Sequence, residues 1–348
     1  MGRGNLEMVT IKDVAKKAGV SVSAVSRALN NYTDINAKTK AKILQVVEEM
    51  HYYPNASARR LVTNRSYTIG IFYPANGGPG LRQPFIAHLL EVFKTAIGMS
   101  GYDLLLFGDE KHPYGQFSFL DRVEHRDLDG VLLLGSPDET IDELLASNVP
   151  IVGMDHVAAG QRVGSITSDN RRAIHELVQL LKANGYSKFG FCHGDLTLPV
   201  AMERLQGFYS GLSAAQMTPR KEWIFDNAFT FEGGIRVAHR ILELAQKPDV
   251  VIFSGDISAI GALQVFSEQN IRVPDDISVV GFDDIDAASY VYPKLTTIKQ
   301  DKEEMGRLAA ELLVDLIENT ERSMPQHFVL PTQLIVRNTT RPLVINGL

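Results

Sequence analysis

The first thirty residues carry apolar positions at helical spacing, separated by cap and turn residues. The stretch IKDVAKKA follows Thr10, and Asp13 stands three residues after Thr10, which is the pattern of a capping box. Gly19 supplies a residue that tolerates the left-handed conformation at a helix end. Ser21 then precedes VSAVSRAL, whose apolar stripe consists of Val22, Val25 and Leu29. The pattern predicts two short helices joined by a tight turn.

A third helix is predicted from residue 37 to residue 50, with Asn36 as its cap and Ile43, Leu44, Val47 and Met50 on its apolar face. The three helices form either a generic small bundle or a helix-turn-helix unit. The second helix gathers short polar groups and one guanidinium opposite its apolar stripe, namely Ser21, Ser23, Ser26, Arg27 and Asn30. Such groups reach phosphates and base edges, which favours the helix-turn-helix interpretation.

From Tyr67 onward, short apolar strands alternate with amphipathic stretches. One series reads TIGIFYP, YDLLLF, GVLLLG and PIVGMD, and a second reads KFGFCH, DVVIFSGD and ISVVGFDD. This alternation predicts two α/β subdomains, each a doubly wound parallel sheet with helices on both faces. The later segments LTTIKQD and FVLPTQLIVR predict that the chain crosses between the two halves again and leaves a cleft between them.

Charge divides the chain at the same place. The whole sequence of 348 residues has 35 basic and 41 acidic residues and a net charge of −6. Residues 1–66 hold eleven Lys and Arg against five Asp and Glu, or +6, so the remainder, with 24 basic and 36 acidic residues, carries −12. The asymmetry indicates a basic module that meets an anion, joined to an acidic body that does not.

Other classes of protein fit the sequence poorly. No uninterrupted apolar tract reaches the length of a membrane span, and the first ten residues lack the apolar segment of a secretory signal, so we expect a cytoplasmic protein. Cys192 is the single cysteine, so neither an intrachain disulfide nor a multi-cysteine metal site is expected. Neither a glycine-rich phosphate loop nor a GxSxG or HExxH motif is present, and we expect no enzyme.

Charged residues follow several strands of the body. Asp155, Asp256 and the pair Asp283–Asp284 come directly after apolar runs, and Arg204 lies in the helix after KFGFCHGD. Ligands of open α/β sheets bind beyond the carboxyl ends of the strands. Carboxylates beside a guanidinium suit a polyhydroxylated ligand, because each hydroxyl donates to one and accepts from the other. The alternative for each aspartate is a cap on the next helix.

The segments VTIKDVAKKAGVSVSAVSRALN, AKTKAKIL and YYPNASARRL resemble the DNA-binding headpiece and hinge of the LacI/GalR family of bacterial transcriptional repressors, without a gap from Val9 to Leu61. The body resembles the periplasmic-binding-protein-like core of these repressors to about Thr340. The resemblance implies a headpiece over 9–54, a hinge helix and linker over 55–66, and an effector-binding and dimerisation core over 67–340.

The resemblance also implies roles for single residues of the headpiece and hinge. Val22 and Ser23 match base-reading positions, with Arg27 deeper along the recognition helix. Leu61 matches the leucine that enters the minor groove at the operator centre, although packing on the body is the alternative. The remaining DNA-contacting positions are Thr10, Ser21, Ser26 and Asn30 toward phosphates, and Asn55 and Ala58 on the hinge.

Within the core, the resemblance places Arg204, Asp283 and Asp155 at polar effector-contacting positions. Phe229 matches an aromatic platform that stacks on a sugar ring, and Phe85 matches an aromatic contact of the first subdomain; core packing is the alternative for both. The apolar wall positions are Ile166 and Met305.

The chain departs from the family pattern at Gly255, where an asparagine is usual, and at Ala173, where a glycine is usual.

The family implies a repressor that binds a pseudo-palindromic operator as a homodimer, without a metal or cofactor, and that responds to a small molecule, with a sugar as the expected class. Control by a phosphoprotein coregulator or a non-sugar metabolite stays open. A transport-type sugar receptor would explain the body but not residues 9–61.

Overall fold

The computed structural model describes residues 9–29, 32, 35–52, 65–73, 80–107, 118–135, 141–155, 160–227, 229–319 and 325–345. The chain divides into two compact units, Met1–Ser66 and Tyr67–Leu348. The predicted contacts Asn30, Asn55, Ala58 and Leu61 lie outside the described residues.

The N-terminal unit contains three helices among its described residues: α1 (Ile11–Ala18), α2 (Val22–Leu29) and α3 (Ala37–Glu49). The Asp13 carboxylate accepts hydrogen bonds from the backbone N–H and the hydroxyl of Thr10, at 2.9 and 2.6 Å. Gly19 ends α1 with φ +67°. The Asn36 side chain accepts from the N–H of Lys38. The local signals of the sequence therefore form the predicted caps.

The apolar face of α3 differs from the predicted one. Leu44 is 43% exposed, whereas Ile43 and Val46 are buried against α1 and α2. Residues 43, 46, 47 and 50 follow the helical period of 3.6, and residue 44 is turned about 100° away from Ile43. Val22, placed on the apolar stripe of α2, is 40% exposed, and the buried positions of that helix are Val25 and Ala28.

Two six-stranded sheets organise the C-terminal unit. The first sheet has the order β11-β5-β4-β3-β1-β2, and all its strand pairs are parallel. Its strands are β1 (Thr68–Phe72), β2 (Asp103–Leu106), β3 (Gly130–Leu134), β4 (Ile151–Met154), β5 (Val163–Ser168) and β11 (Gln326–Leu330). One face packs on α4 (Pro84–Met99) and α12 (Lys302–Glu318), and the other on α5 (Phe119–Arg126) and α6 (Asp142–Ala146).

The second sheet has the order β12-β10-β9-β8-β6-β7, and β12 runs antiparallel to β10. Its strands are β6 (Phe189–His193), β7 (Ile224–Asp226), β8 (Val250–Phe253), β9 (Ser278–Asp283), β10 (Thr296–Gln300) and β12 (Thr332–Ile335). The helices on its faces are α7 (Asn170–Ala183), α8 (Pro199–Ala214), α9 (Phe231–Glu243) and α10 (Asp256–Glu268), with the short α11 (Ala287–Tyr290) after β9.

The predicted crossing between the halves is confirmed. From β10 in the second sheet the chain runs through α12 to β11 in the first sheet, and β12 returns to the second. The parallel, helix-covered architecture is confirmed as well, with the single antiparallel edge strand β12 as a refinement. At the carboxyl ends of the parallel strands lie Asp155, which follows β4, and Asp283, which ends β9.

Candidate functional site

The exposed face of α2 is the candidate DNA-reading surface. Ser21, Val22, Ser23 and Arg27 are exposed, and Ser26 is half-buried. The hydroxyl of Ser21 accepts from the N–H of Ala24 at 3.2 Å and so caps the helix. Thr10 uses its hydroxyl hydrogen on Asp13. A phosphate contact by Thr10 therefore requires that hydrogen to turn away from Asp13, whereas Ser23 and Val22 stand at the open start of α2.

Arg204 is the fixed centre of the candidate ligand site in the C-terminal unit. Only 3% of the residue is exposed. Its Nε donates to Oδ1 of Asn170 at 2.8 Å, one terminal nitrogen donates to the carbonyl of Ser254 at 2.6 Å, and the guanidinium lies 3.7 Å from the ring centre of Phe282. These contacts come from α7, the end of β8 and β9, so three elements hold the guanidinium in one orientation.

Asp283 faces this guanidinium from the end of β9. Its Oδ1 lies 3.8 Å from a terminal nitrogen of Arg204 and accepts a hydrogen bond from Gln300 at 2.8 Å. Gln83, which caps α4, reaches Oδ2 at 3.5 Å. Burial raises the pKa of the Asp283 carboxyl, and the nearby Arg204 opposes that rise. The pair places a hydrogen-bond acceptor and a donor fork side by side.

The other two strand-end carboxylates of the second sheet serve different purposes. Asp256 is fully buried, and its oxygens accept from the Thr297 hydroxyl at 2.5 Å and the Ile285 N–H at 2.9 Å. Burial, with the repulsion of Asp283, raises its pKa well above the ordinary value. Asp284 is paired with Arg337 at 2.7 Å. The predicted convergence of these carboxylates on one opening is therefore wrong for Asp284, and Asp256 anchors neighbouring backbone instead.

Asp155 comes from the first sheet, directly after β4. Burial raises the pKa of its carboxyl to about 6, although the charge of Arg204 lowers it. Its Oδ1 is buried without a hydrogen-bond partner among the residues that the structure describes. Among the predicted carboxylates, Asp283 and Asp155 have the largest electrostatic effects on the Arg204 guanidinium, and the buried Asp256 adds a smaller one.

Phe229 lies beside these polar groups and is 9% exposed. A Cβ built on Gly255 would stand 3.1 Å from Cδ1 of Phe229 and 3.6 Å from Oδ2 of Asp283. The glycine that departs from the family pattern therefore leaves room for this ring next to the carboxylate. The hydrophobic core of the first sheet contains Phe85, Ile166 and Met305. For Phe85, this position corresponds to core packing, the alternative to a ligand contact.

The backbone at the site occupies unusual conformations. The φ angles of Asp155, Phe229, Asp283 and Asp284 are +57°, +53°, +116° and +51°. Such left-handed conformations cost energy for side chains with a Cβ, and they cluster where a fold holds functional groups. The neighbouring structure, rather than local preference, fixes these side chains.

Several uncharged polar residues of the site were not predicted from the sequence. Ser254 directly follows β8, and Gln300 is the last residue of β10. Each has a buried side-chain oxygen without a hydrogen-bond partner in the described part of the chain. Asn170 links Arg204 to Glu203, to which its amide donates at 3.0 Å. Their positions at or just beyond strand ends are the signal in the sequence that points to them, as it does for the charged residues.

A metal-binding cluster and a membrane-spanning helix are both absent from the described residues. These residues contain no cluster of histidine, cysteine, aspartate and glutamate side chains suited to a metal ion. Among the same residues, no helix combines the length and the apolar character needed to cross a membrane.

Comparisons with known proteins agree with this arrangement. Residues 10–55 match the profile of the bacterial regulatory proteins of the lacI family, and residues 178–340 match that of the periplasmic binding protein-like domain. The HTH-type transcriptional repressor PurR of Photobacterium profundum is 31% identical over 341 residues, which cover 97% of this chain and 100% of that protein. The PurR of Yersinia pestis is 34% identical over 338 residues, covering 95% of this chain and 97% of the relative.

Solved structures give the same result. The lac repressor dimer bound to operator and the anti-inducer ONPF has a TM-score of 0.78 and 26% identity, over 96% of this chain and 99% of that one. The complex of the transcriptional regulator CelR with cellobiose has a TM-score of 0.68 and 28% identity, over 95% of this chain and 99% of that one.

Proposed function

The chain belongs to the LacI family of bacterial regulatory proteins, and we propose that it is a cytoplasmic, homodimeric repressor whose operator affinity is controlled by a sugar bound between the two sheets. One observation carries the sugar assignment. Arg204 and Asp283 stand 3.8 Å apart beside an aromatic ring, and buried oxygens of Asp155, Ser254 and Gln300 have no partner in the described residues.

A sugar matches this set of groups. Its hydroxyls donate to the carboxylates and the unpartnered oxygens while they accept from the guanidinium. The apolar face of the ring packs against Phe229, which supplies large contact area. Unpartnered buried polar atoms are costly, so a ligand that satisfies several of them gains binding free energy. The related regulator CelR was solved with cellobiose, which supports the same class of ligand here.

On the DNA side, we assign base reading to Val22, Ser23 and Arg27, and phosphate contacts to Thr10, Ser21 and Ser26. The roles of Asn30, Asn55, Ala58 and Leu61 remain predictions from the family resemblance. Two headpieces of a dimer would read half-sites of a pseudo-palindrome about one helical turn or its multiples apart. Effector and operator then affect each other's affinity by the same factor, whichever sign the response has.

The experiment that tests the sugar assignment is a thermal-shift screen of the full-length protein. The panel holds D-ribose, cellobiose, glucose 6-phosphate and adenine, so that neutral sugars are compared with an anion and a base. A compound present at about 100 times its Kd stabilises the native state by about 2.7 kcal/mol. We expect a neutral sugar to raise the Tm of the wild type.

The site is checked with two variants in the same screen. Asp155→Asn should lose most of the sugar-induced shift, and Asp275→Asn, an exposed aspartate beside Arg272, serves as the matched control. A shift produced by adenine alone, or by none of the four compounds, would contradict the sugar assignment and favour a non-sugar metabolite or a protein coregulator.

A further inference from the structure

Lys302 connects the Asp283–Asp284 turn, at the end of β9 in the second sheet, to α12, a helix that packs on the first sheet. The residue is buried at the start of α12. Its Nζ donates to the backbone carbonyls of Asp283 and Asp284, at 2.9 and 2.8 Å. These two residues form the left-handed turn that carries the Asp283 carboxylate into the site. One ammonium therefore holds both peptide groups of the turn.

The position of the lysine is unfavourable for the helix that contains it. A positive charge in the first turn opposes the helix dipole, whereas the neighbouring Glu303 and Glu304 favour it. A buried ammonium also costs free energy unless hydrogen bonds replace its hydration. Helix formation thus gives no reason for a buried lysine here, and its contacts to the turn do.

The rest of α12 packs against the first sheet. Its apolar side packs in the hydrophobic core of the first sheet together with residues of α4, through Met305, Ala309, Ala310, Leu313 and Leu316. Ile285, which follows the turn, is buried in that same core. The turn of the second sheet and the core of the first sheet are therefore joined at the N-terminus of α12.

We propose that Lys302 is a positioning residue: it fixes the Asp283–Asp284 turn on α12, so that displacement of Asp283 by a bound effector is passed to the helix layer of the first sheet. The proposal deepens the proposed function and rests on it for the role of Asp283 as an effector contact. The Lys302 ammonium donates to backbone carbonyls, whereas the Arg204 guanidinium faces the Asp283 carboxylate itself.

Hydrogen exchange of the full-length protein tests the structural part without any effector. Peptides that cover residues 281–287 report on the turn, including the Ile285 N–H that donates to Asp256. We expect Lys302→Met to exchange about tenfold faster there than the wild type, because hydrogen bonds from a charged group are lost. Lys302→Arg should restore slow exchange, since a guanidinium also offers several donors. Unchanged exchange in Lys302→Met would overturn the proposal.

Lys299→Met is the matched control, because Lys299 is exposed on β10 three residues earlier. It should exchange like the wild type. Lys302→Gln, which keeps a neutral donor, provides a milder variant that is expected to lie between Lys302→Met and the wild type. If Lys299→Met exchanged as fast as Lys302→Met, the effect would not be specific to Lys302, and the proposal would be overturned.

The pH dependence of unfolding separates positioning from simple packing. The charged groups near Asp283 include Arg204, Asp155, Asp256 and Lys302, and the adjacent Asp284 is paired with Arg337. Burial raises the pKa of Asp283, and the Lys302 ammonium opposes that rise. Removing it raises that pKa further, so the folded state of Lys302→Met binds protons more tightly. Its stability relative to the wild type should fall as the pH rises above the ordinary pKa range of an aspartate, because the folded variant keeps the Asp283 proton to higher pH.

The double variant Lys302→Met/Asp283→Asn should show a smaller fall, because the carboxyl concerned is gone. A pH-independent difference between Lys302→Met and the wild type would mean that the lysine only packs, and would overturn the proposal. Neither measurement uses a sugar. A blank sugar screen would therefore count against the proposed effector and leave these two results to decide the role of Lys302.

Discussion

The N-terminal unit keeps its candidate functional side chains at the surface, whereas the C-terminal unit buries its own. Val22, Ser23 and Arg27 are exposed on α2 and sit over a small apolar core. In contrast, Arg204 and Asp283 are 3% and 2% exposed and are held by several hydrogen bonds. The same polypeptide thus presents one site that is solvated before binding and one that is desolvated already in the folded protein.

The difference fits the kind of ligand that we propose for each site. DNA supplies a large, strongly charged surface, and exposed side chains bind it mainly by releasing counterions and by fitting the groove. A small neutral ligand supplies few atoms, so each contact has to be prepared in a low-dielectric setting where a hydrogen bond counts for more. Substitutions in the C-terminal site should therefore alter stability and pH dependence, and those on α2 should alter DNA binding alone.

The largest expected effect separates two adjacent aspartates. Asp283→Asn keeps the shape of the side chain but removes a buried charge, and we expect the sugar found in the screen to lose about 2–5 kcal/mol of binding free energy. Asp284→Asn should instead lower the stability, because it breaks the pair with Arg337, and leave sugar affinity near that of the wild type. Isothermal titration calorimetry measures the sugar affinity of both variants. Equal losses of affinity would contradict the assignment of the site to Asp283.

A second effect concerns pH and Asp155. The pKa of its carboxyl rises from 3.8 to about 6 in the folded state, so the native protein holds this proton more tightly than the unfolded chain. Stability is therefore lost as pH rises through that window, by about 3 kcal/mol in total. Asp155→Asn should equal the wild type near pH 4 and exceed it near pH 8. Urea unfolding checks this, and parallel profiles for the two proteins would refute it.

Arg27→Ala should change DNA binding and leave the stability of the protein nearly unchanged. Loss of a base contact costs about 1–3 kcal/mol at the position that Arg27 reads and weakens sequence preference there. The residue is exposed, so the free energy of unfolding should change by less than about 0.5 kcal/mol. A binding-site selection with the wild type and the variant, followed by titration at fixed salt, measures the preference. Unchanged selectivity would remove Arg27 from base reading.

The sequence was most informative where local chemistry decides the structure. The cap at Thr10, the left-handed Gly19 and the apolar runs of β1, β3, β8 and β9 all correspond to observed elements. The strand β5, VGSITS, was missed because its small and hydroxyl residues do not form an apolar run, although it is buried between β4 and β11.

The site was only partly predictable for a related reason. Asp283 and Asp284 are adjacent and chemically identical, yet the first faces Arg204 and the second pairs with Arg337, on a turn in which both φ angles are left-handed. Backbone conformations of this kind are imposed by tertiary contacts, such as those of Asp256 and Lys302, which lie far away in sequence. Single-residue patterns carry no information about them.

The smallest expected effect tests the observed apolar face of α3 in the N-terminal unit against the face that the sequence pattern predicts. Val46→Ala removes two methyl groups from the core beneath α1 and α2 and should cost about 1–2 kcal/mol of unfolding free energy. Leu44→Ala truncates a larger side chain, yet this leucine is 43% exposed and should cost less than about 0.5 kcal/mol. Thermal unfolding of the two variants compares them directly. A larger loss from Leu44→Ala would place residue 44 in the core, as the apolar pattern alone predicts, and would contradict the observed register of α3.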